Sequence, residues 1–331
     1  MTPGRTCPLH YRYTPRDLAQ APKFAASCIY VVGGLYGNLP ALDAICELAA
    51  HETTPTVIVF NGDFNWFNID AAGFTAVNSR ILPHEALRGN VETELASDDP
   101  AAGCGCGYPD FVSDADVDRS NHIIERLRAT AISEPLLRRQ LAALPMVLTA
   151  AVGDVNVAIV HGDCESLAGW GLSSEALAVA AHRAKVADWF TEAAVDVIAS
   201  SHSCSPVLMN FATRKGAGIV INNGAAGMPN FAGTQYGLIT RIGLRPSPHP
   251  PLYGTSLGVV HVDALAVHYD VRRWRDEFNA NWPPGSAAHA SYSRRIDQGP
   301  HYTIDDACRL TVERTLARRP VAARQQAPHP L

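Results

Sequence analysis

Again and again in this chain, an apolar run stops at a residue that can hold a metal ion or a proton. Val57–Phe60 stops at Asn61-Gly62-Asp63, Val157–Val160 at His161-Gly162-Asp163, and Val197–Ala199 at Ser200-Ser201-His202. Gly218–Ile221 stops at Asn222-Asn223-Gly224, and Leu87-Arg88-Gly89-Asn90 makes a similar turn. Short apolar runs closed by Gly and Asn read as buried strands entering tight turns. In sheets of parallel strands, functional groups gather just beyond the carboxyl ends. The series therefore predicts an α/β fold with one site built from several strand ends.

The surrounding pattern agrees. Cys28–Val32 reads as a strand entering the turn Gly33-Gly34. Leu39–Ala50 has helical spacing, with Leu42, Ile45, Cys46 and Ala49 on one face. Thr56–Phe60 is the next strand, and the β-α-β unit so formed implies parallel pairing. Residues 92–117, with the run GCGCG, read as an inserted surface loop. Helices are expected at Asn121–Thr130, Pro135–Leu144 and Ser174–Ala193, and strands at Val155–Val160, Val195–Ser200 and Gly218–Ile221. Gly258–Ala264 with Leu265–Tyr269 reads as a hairpin. The expected organisation is an arm over 1–24, a main domain over 25–270, an irregular wrap over 271–317 and a disordered tail over 318–331.

Composition narrows the class. Of the 331 residues 47% are hydrophobic, enough for a sizeable core. The net charge of -5, with no Lys/Arg block in the body, speaks against nucleic acid as a partner. The chain shows neither a secretory leader nor an apolar run of membrane length, so a cytoplasmic, non-membrane protein is expected. Its eight cysteines are then expected as thiols or ligands rather than disulfides.

The motif order resembles the calcineurin-like metallophosphoesterases. That family carries the blocks D-x-H, G-D, G-N-H/D, H-G and G-H-x-H. The matching stretches here are Gly34-Leu35-Tyr36-Gly37-Asn38, Gly62-Asp63, Gly89-Asn90-Val91-Glu92, His161-Gly162 and Ser201-His202-Ser203-Cys204. The stretch Asn222 to Gly227 looks like the family's downstream Asn-Pro-Gly-Ser-x-Gly. The resemblance implies an αββα sandwich of two mixed β-sheets flanked by helices. It also implies two-metal hydrolysis of a phosphomonoester or phosphodiester, here of a small molecule. Asp63 is then the bridging carboxylate, and Asn90, His161 and His202 complete one metal site. Two imidazoles, an amide oxygen and a carboxylate suit Mn, Fe or Zn.

The companion site departs from the pattern. Gly34, Tyr36 and Cys204 stand where its three ligands belong, and Val91 replaces the usual proton-donating His. Three readings follow: a mononuclear hydrolase with one ion; a rebuilt centre of two ions that uses Tyr36 and Cys204; or a non-hydrolytic metal- or ligand-binding protein, with thiol chemistry at Cys164 and Cys204. Arg88 and Asn38 are candidate substrate contacts, and Glu92 a candidate for orienting ligands or water. Asn65, Trp66 and Phe67 are candidates for a pocket wall, and Tyr292, Arg294 and Arg295 for reaching back from the C-terminal wrap. Cys104 and Cys106 read either as a soft-metal pair or as incidental thiols of a Gly-rich loop. The oligomeric state stays open.

Overall fold

The computed structural model describes residues 2–214 and 216–310. In chain order it has β1 (Phe24–Ala25), β2 (Cys28–Val32), α1 (Leu39–Ala50), β3 (Thr56–Asn61), α2 (Ala71–Ile81), β4 (Glu85–Leu87), α3 (Asn90–Ala96), α4 (Asp114–Ser133) and α5 (Pro135–Ala142). There follow β5 (Val147–Val152), β6 (Val155–Val160), α6 (Ser174–Ala178), α7 (Ala180–Ala193), β7 (Val197–Ser200), β8 (Val207–Thr213) and β9 (Gly216–Asn222). The last elements are β10 (Gly237–Gly243), β11 (Tyr253–Leu257), β12 (Val260–Val267), α8 (Val271–Asn281), α9 (Ala287–Gln298) and α10 (Ile304–Ala307).

Two six-stranded mixed sheets face each other. One runs β1-β5-β6-β7-β9-β8 and the other β11-β12-β10-β2-β3-β4. Each holds a parallel trio, β2-β3-β4 in one and β6-β7-β9 in the other. Alternation along the strands decides the layers. Ile29, Val31, Val59 and Leu87 meet Val157, Ile159, Val197, Ala199 and Ile221 between the sheets. Tyr30 and Phe60 point outward under α1 and α2, while Ile198 and Val220 point outward under α7. The architecture is the expected αββα sandwich.

Local chemistry explains α1. Asn38 accepts the Ala41 N–H at 2.9 Å as its cap, and Pro40 sits in the first turn, where a missing N–H costs nothing. Elsewhere the structure corrects the expectations. The stretch expected as an inserted loop begins inside helix α3, whose first turn is tied by Glu92 accepting the Gly89 N–H at 3.0 Å. The helix expected over Ser174–Ala193 is two, because the chain leaves helical geometry at Val179. The hairpin turns at Gly258 rather than after Ala264, pairing β11 with one long β12. The expected irregular wrap contains α8 and α9, with Trp274 and Phe278 one helical turn apart and both buried. The tail expected over 318–331 lies outside the described residues. Among the described residues no helix is long and apolar enough to cross a membrane.

Arg241 in the middle of β10 is almost fully buried and paired with Glu52, with Asp263 at 3.3 Å, while Tyr30 donates to Glu52 at 2.7 Å. Removing one member of such a network leaves a buried charge without its partner. Arg241→Met is expected to cost about 3–5 kcal/mol of stability, read from the urea midpoint, without altering metal content. A shift below 1 kcal/mol would mean that the network is replaceable.

Candidate metal centre

The parallel trios of both sheets end at the same place, and four side chains converge there. Asp63 follows β3, Asn90 opens α3 after β4, His161 follows β6, and His202 follows β7 by two residues. All four are at most 7% exposed. His161 Nε2 lies 3.2 Å from Asn90 Oδ1, 3.0 Å from His202 Nδ1 and 3.3 Å from Asp63 Oδ2. The strand ends approach so closely that only glycine fits between them. A Cβ on Gly89 would collide with Asp63 Oδ1 and lie 2.9 Å from the His161 ring.

Hydrogen bonds fix what each group presents. A carbonyl can only accept, so His161 carries its proton on Nδ1, 2.9 Å from Asn61 O. His202 likewise donates Nε2–H to Cys106 O at 2.9 Å. Asn90 donates Nδ2–H to Cys104 O at 2.9 Å, which turns its Oδ1 inward. The inward-facing atoms are thus two imidazole lone pairs, an amide oxygen and a carboxylate oxygen. With both imidazoles neutral, four acceptors face one another; a proton on His161 Nε2 or a cation must sit among them.

A cation resolves that arrangement. An ion with bonds of about 2.1 Å holds neighbouring ligand atoms about 3.0–3.4 Å apart, whether octahedral or tetrahedral. The spacings above fit that range. Asp63, His161 and His202 also form the one grouping of three His, Cys or carboxylate ligands among the described residues. Electrostatics points the same way. Burial opposes charge on Asp63, but a positive His161 beside it draws the carboxyl below its usual range. Burial also opposes charge on His161, and the Asp63 carboxylate prevails and raises it. Burial, then the charge of His161, pushes His202 down to about 4. One positive charge is favoured at this point, and a second is not.

The surroundings hold the ligands in place. Buried Glu92 accepts the N–H groups of Asp63 at 2.7 Å, Phe64 at 3.0 Å and Gly89 at 3.0 Å, and so fixes both turns. Burial, then the charge of Asp63, pushes its carboxyl up to about 7. The GCGCG loop grips from the other side. Its three glycines all take positive φ, and its carbonyls at Cys104 and Cys106 receive Asn90 and His202. Trp170, which the sequence did not single out, donates to Cys106 O at 3.0 Å and lies edge-on to His202, ring centres 5.3 Å apart. Cys104 and Cys106 thus act here through their carbonyls, and their thiols join no metal-ligand grouping among the described residues, in keeping with the reading of incidental thiols in a Gly-rich loop. Gly105 shows how tight the loop is, because a Cβ there would collide with the Tyr11 hydroxyl. Gly105→Ala is expected to weaken metal binding by about 10–100-fold, the usual cost of disturbing groups that orient ligands. Competition with a chelator reads this out, and an unchanged affinity would show that the loop does not position the ligands.

The companion position is filled differently. Tyr36 Oη lies 2.8 Å from Cys204 Sγ. A Cβ on Gly34 would be 2.9 Å from the Tyr36 ring, so the phenol occupies the space a side chain at 34 would need. Gly34 and Tyr36 are one coupled feature. Burial raises the pKa of both Tyr36 and Cys204, which disfavours phenolate and thiolate. Val91 is buried beside Asp63 and offers only its N–H, 3.2 Å from Asp63 Oδ1.

Other candidates have different partners. Asn38 uses its side chain to cap α1 and to donate to Gly227 O at 2.9 Å, so its groups serve the fold rather than a substrate. Arg88 donates to Ala142 O at 3.0 Å, at the end of α5, instead of to the site. Cys164 packs in the outer layer with Leu172, Val186 and Trp189, and Cys204 packs against a separate cluster. The expected Cys164–Cys204 thiol cluster is therefore absent. Of the C-terminal residues, Tyr292 packs on Phe67 at 5.0 Å and Arg295 reaches Cys204 O at 2.9 Å, while Arg294 is exposed and contacts His301.

No protein-family model and no curated protein matches the chain. Solved structures are similar to it. A hypothetical protein from Pyrococcus horikoshii OT3 is 17% identical with a TM-score of 0.54, over 83% of this chain and 100% of that one. A metallophosphoesterase from Sphaerobacter thermophilus is 15% identical with a TM-score of 0.51, over 80% of this chain and 98% of that one. At such identities the likeness is one of fold, and the fold is the one the motif order implied.

Proposed function

We propose that this chain is a metal-dependent, phosphoesterase-like hydrolase with a mononuclear centre at Asp63, Asn90, His161 and His202. The observation that carries the reading is the set of four inward acceptors, each held in that sense by an outer hydrogen bond. The residues fit one divalent ion such as Mn, Fe or Zn, through two nitrogens and two oxygens. Such an ion supplies Lewis acidity, and it lowers the pKa of a water. One carboxylate among four ligands leaves the centre net positive, which suits an anionic ester. Tyr36 and Cys204, hydrogen-bonded to each other and with raised pKa values, do not fit a second ion.

The residues divide the remaining work. Asn61 and the GCGCG carbonyls keep both imidazoles in the binding tautomer. Glu92 holds the Asp63 turn. Trp170 walls the site beside His202. With Val91 in place of the usual acid, the reading favours esters whose leaving group departs without protonation, such as aryl phosphates. The test is elemental analysis of protein purified without added metal, followed by assays on aryl phosphate mono- and diesters. About one ion per chain, with turnover that a chelator abolishes and that metal restores, is the result expected from a single closed ligand set. Metal without any turnover would leave a binding protein, and no metal under any loading condition would sink the proposal.

A further inference from the structure

The metal accounts for one side of the site, but a phosphoryl group carries charge on several oxygens. Beside the Tyr36–Cys204 pair stands Arg295 from α9. Its Nε donates to Pro229 O at 3.0 Å, and its Nη2 donates to Cys204 O at 2.9 Å and Asn230 Oδ1 at 3.3 Å. These three contacts fix the plane of the guanidinium. None of them uses Nη1, and all are to neutral oxygens. Two arginines of the C-terminal helices do have acidic partners, Arg275 with Asp297 and Arg273 with Glu277. Among the described residues Arg295 has no carboxylate partner. A half-buried guanidinium held by neutral oxygens, with Nη1 uncommitted, can still form a charge-assisted hydrogen bond to an oxyanion.

We propose that Arg295, through Nη1, binds a non-bridging oxygen of the substrate's phosphoryl group. It supplies from the protein the positive charge that a second ion would otherwise bring. The assignment rests on the hydrolase reading above for its substrate class. The site is one for a tetrahedral oxyanion, with the phosphoryl group set between the ion and the guanidinium.

Inorganic phosphate titrated into the metal-loaded full chain tests this without requiring turnover. Arg295→Gln is expected to weaken phosphate binding about 10–100-fold, the range for hydrogen bonds to charged groups, at unchanged metal content. Arg294→Gln, next in the chain but exposed, is expected to bind phosphate like wild type. Equal binding by Arg295→Gln and wild type would overturn the assignment, as would loaded wild type that binds no phosphate. Should Arg295→Gln not fold, phenylglyoxal modification of the wild type replaces it, read at Arg295 by peptide mass spectrometry. Phosphate is expected to slow modification at Arg295 and not at Arg294, and an unprotected Arg295 would overturn the proposal. Neither measurement reads hydrolysis. Absent turnover would sink the proposed function alone, and phosphate binding indifferent to Arg295 would sink this assignment alone.

Discussion

His161→Ala is expected to empty the metal centre. His161 Nε2 is the atom that all three other ligand atoms approach, at 3.0–3.3 Å. Loss of an outer partner costs about 10–100-fold in metal affinity, and loss of this ligand is expected to exceed that range. Elemental analysis should fall from about one ion per chain to background, and turnover should fall with it. The fold should survive, because the chain keeps its two apolar layers between and outside the sheets. Circular dichroism and the urea midpoint in chelator would check this. Full metal content in His161→Ala would place the ion elsewhere, and the proposed centre would be wrong.

The second large effect concerns the companion position. Gly34→Asp alone should destabilise the protein, because φ is 65° at this position and the Tyr36 ring lies 2.9 Å from the new Cβ. Left-handed backbone costs a non-glycine residue about 1–2 kcal/mol, and overpacking adds about 1–3 kcal/mol. A loss of about 2–5 kcal/mol is expected from the sum of these. The triple change Gly34→Asp, Tyr36→His and Cys204→His removes the ring and supplies a carboxylate and two imidazoles. It should recover part of the stability when metal is added and bind about two ions per chain, since Asp63 can bridge. The readouts are metal stoichiometry and urea midpoints with and without metal. If Gly34→Asp is as stable as wild type, the ring and the glycine are not coupled. If the triple variant still binds one ion, the lost ligands alone do not explain the single centre.

How much was legible in the sequence depended on how local the signal was. The ligand-bearing ends of β3, β6 and β7 were visible because an apolar run and a Gly or Ser turn lie side by side in the chain. Strand β10 was not, because Arg241 interrupts its apolar pattern and is neutralised by Glu52, far away in sequence. Helix α2 was overlooked although Phe74, Val77 and Ile81 mark one buried face. The grip of the GCGCG loop was hidden for another reason. Its contacts use backbone carbonyls, which every residue has, so no side chain announced them. Arg88 and Asn38 looked like substrate contacts from position alone. In the fold each finds a nearby carbonyl, and Asn38 also caps α1.

The four converging side chains come from different sheets, Asp63 and Asn90 from one and His161 and His202 from the other. An ion held by all four is therefore a rivet through the sandwich. Tight binding to the folded form alone adds stability by mass action, about 4 kcal/mol at a thousand times the dissociation constant. The metal-free chain would be expected to splay at this rim first, while the Arg241 network tethers one sheet to its helices independently of any metal. Metal supply would then govern how long the folded protein persists as well as how fast it works.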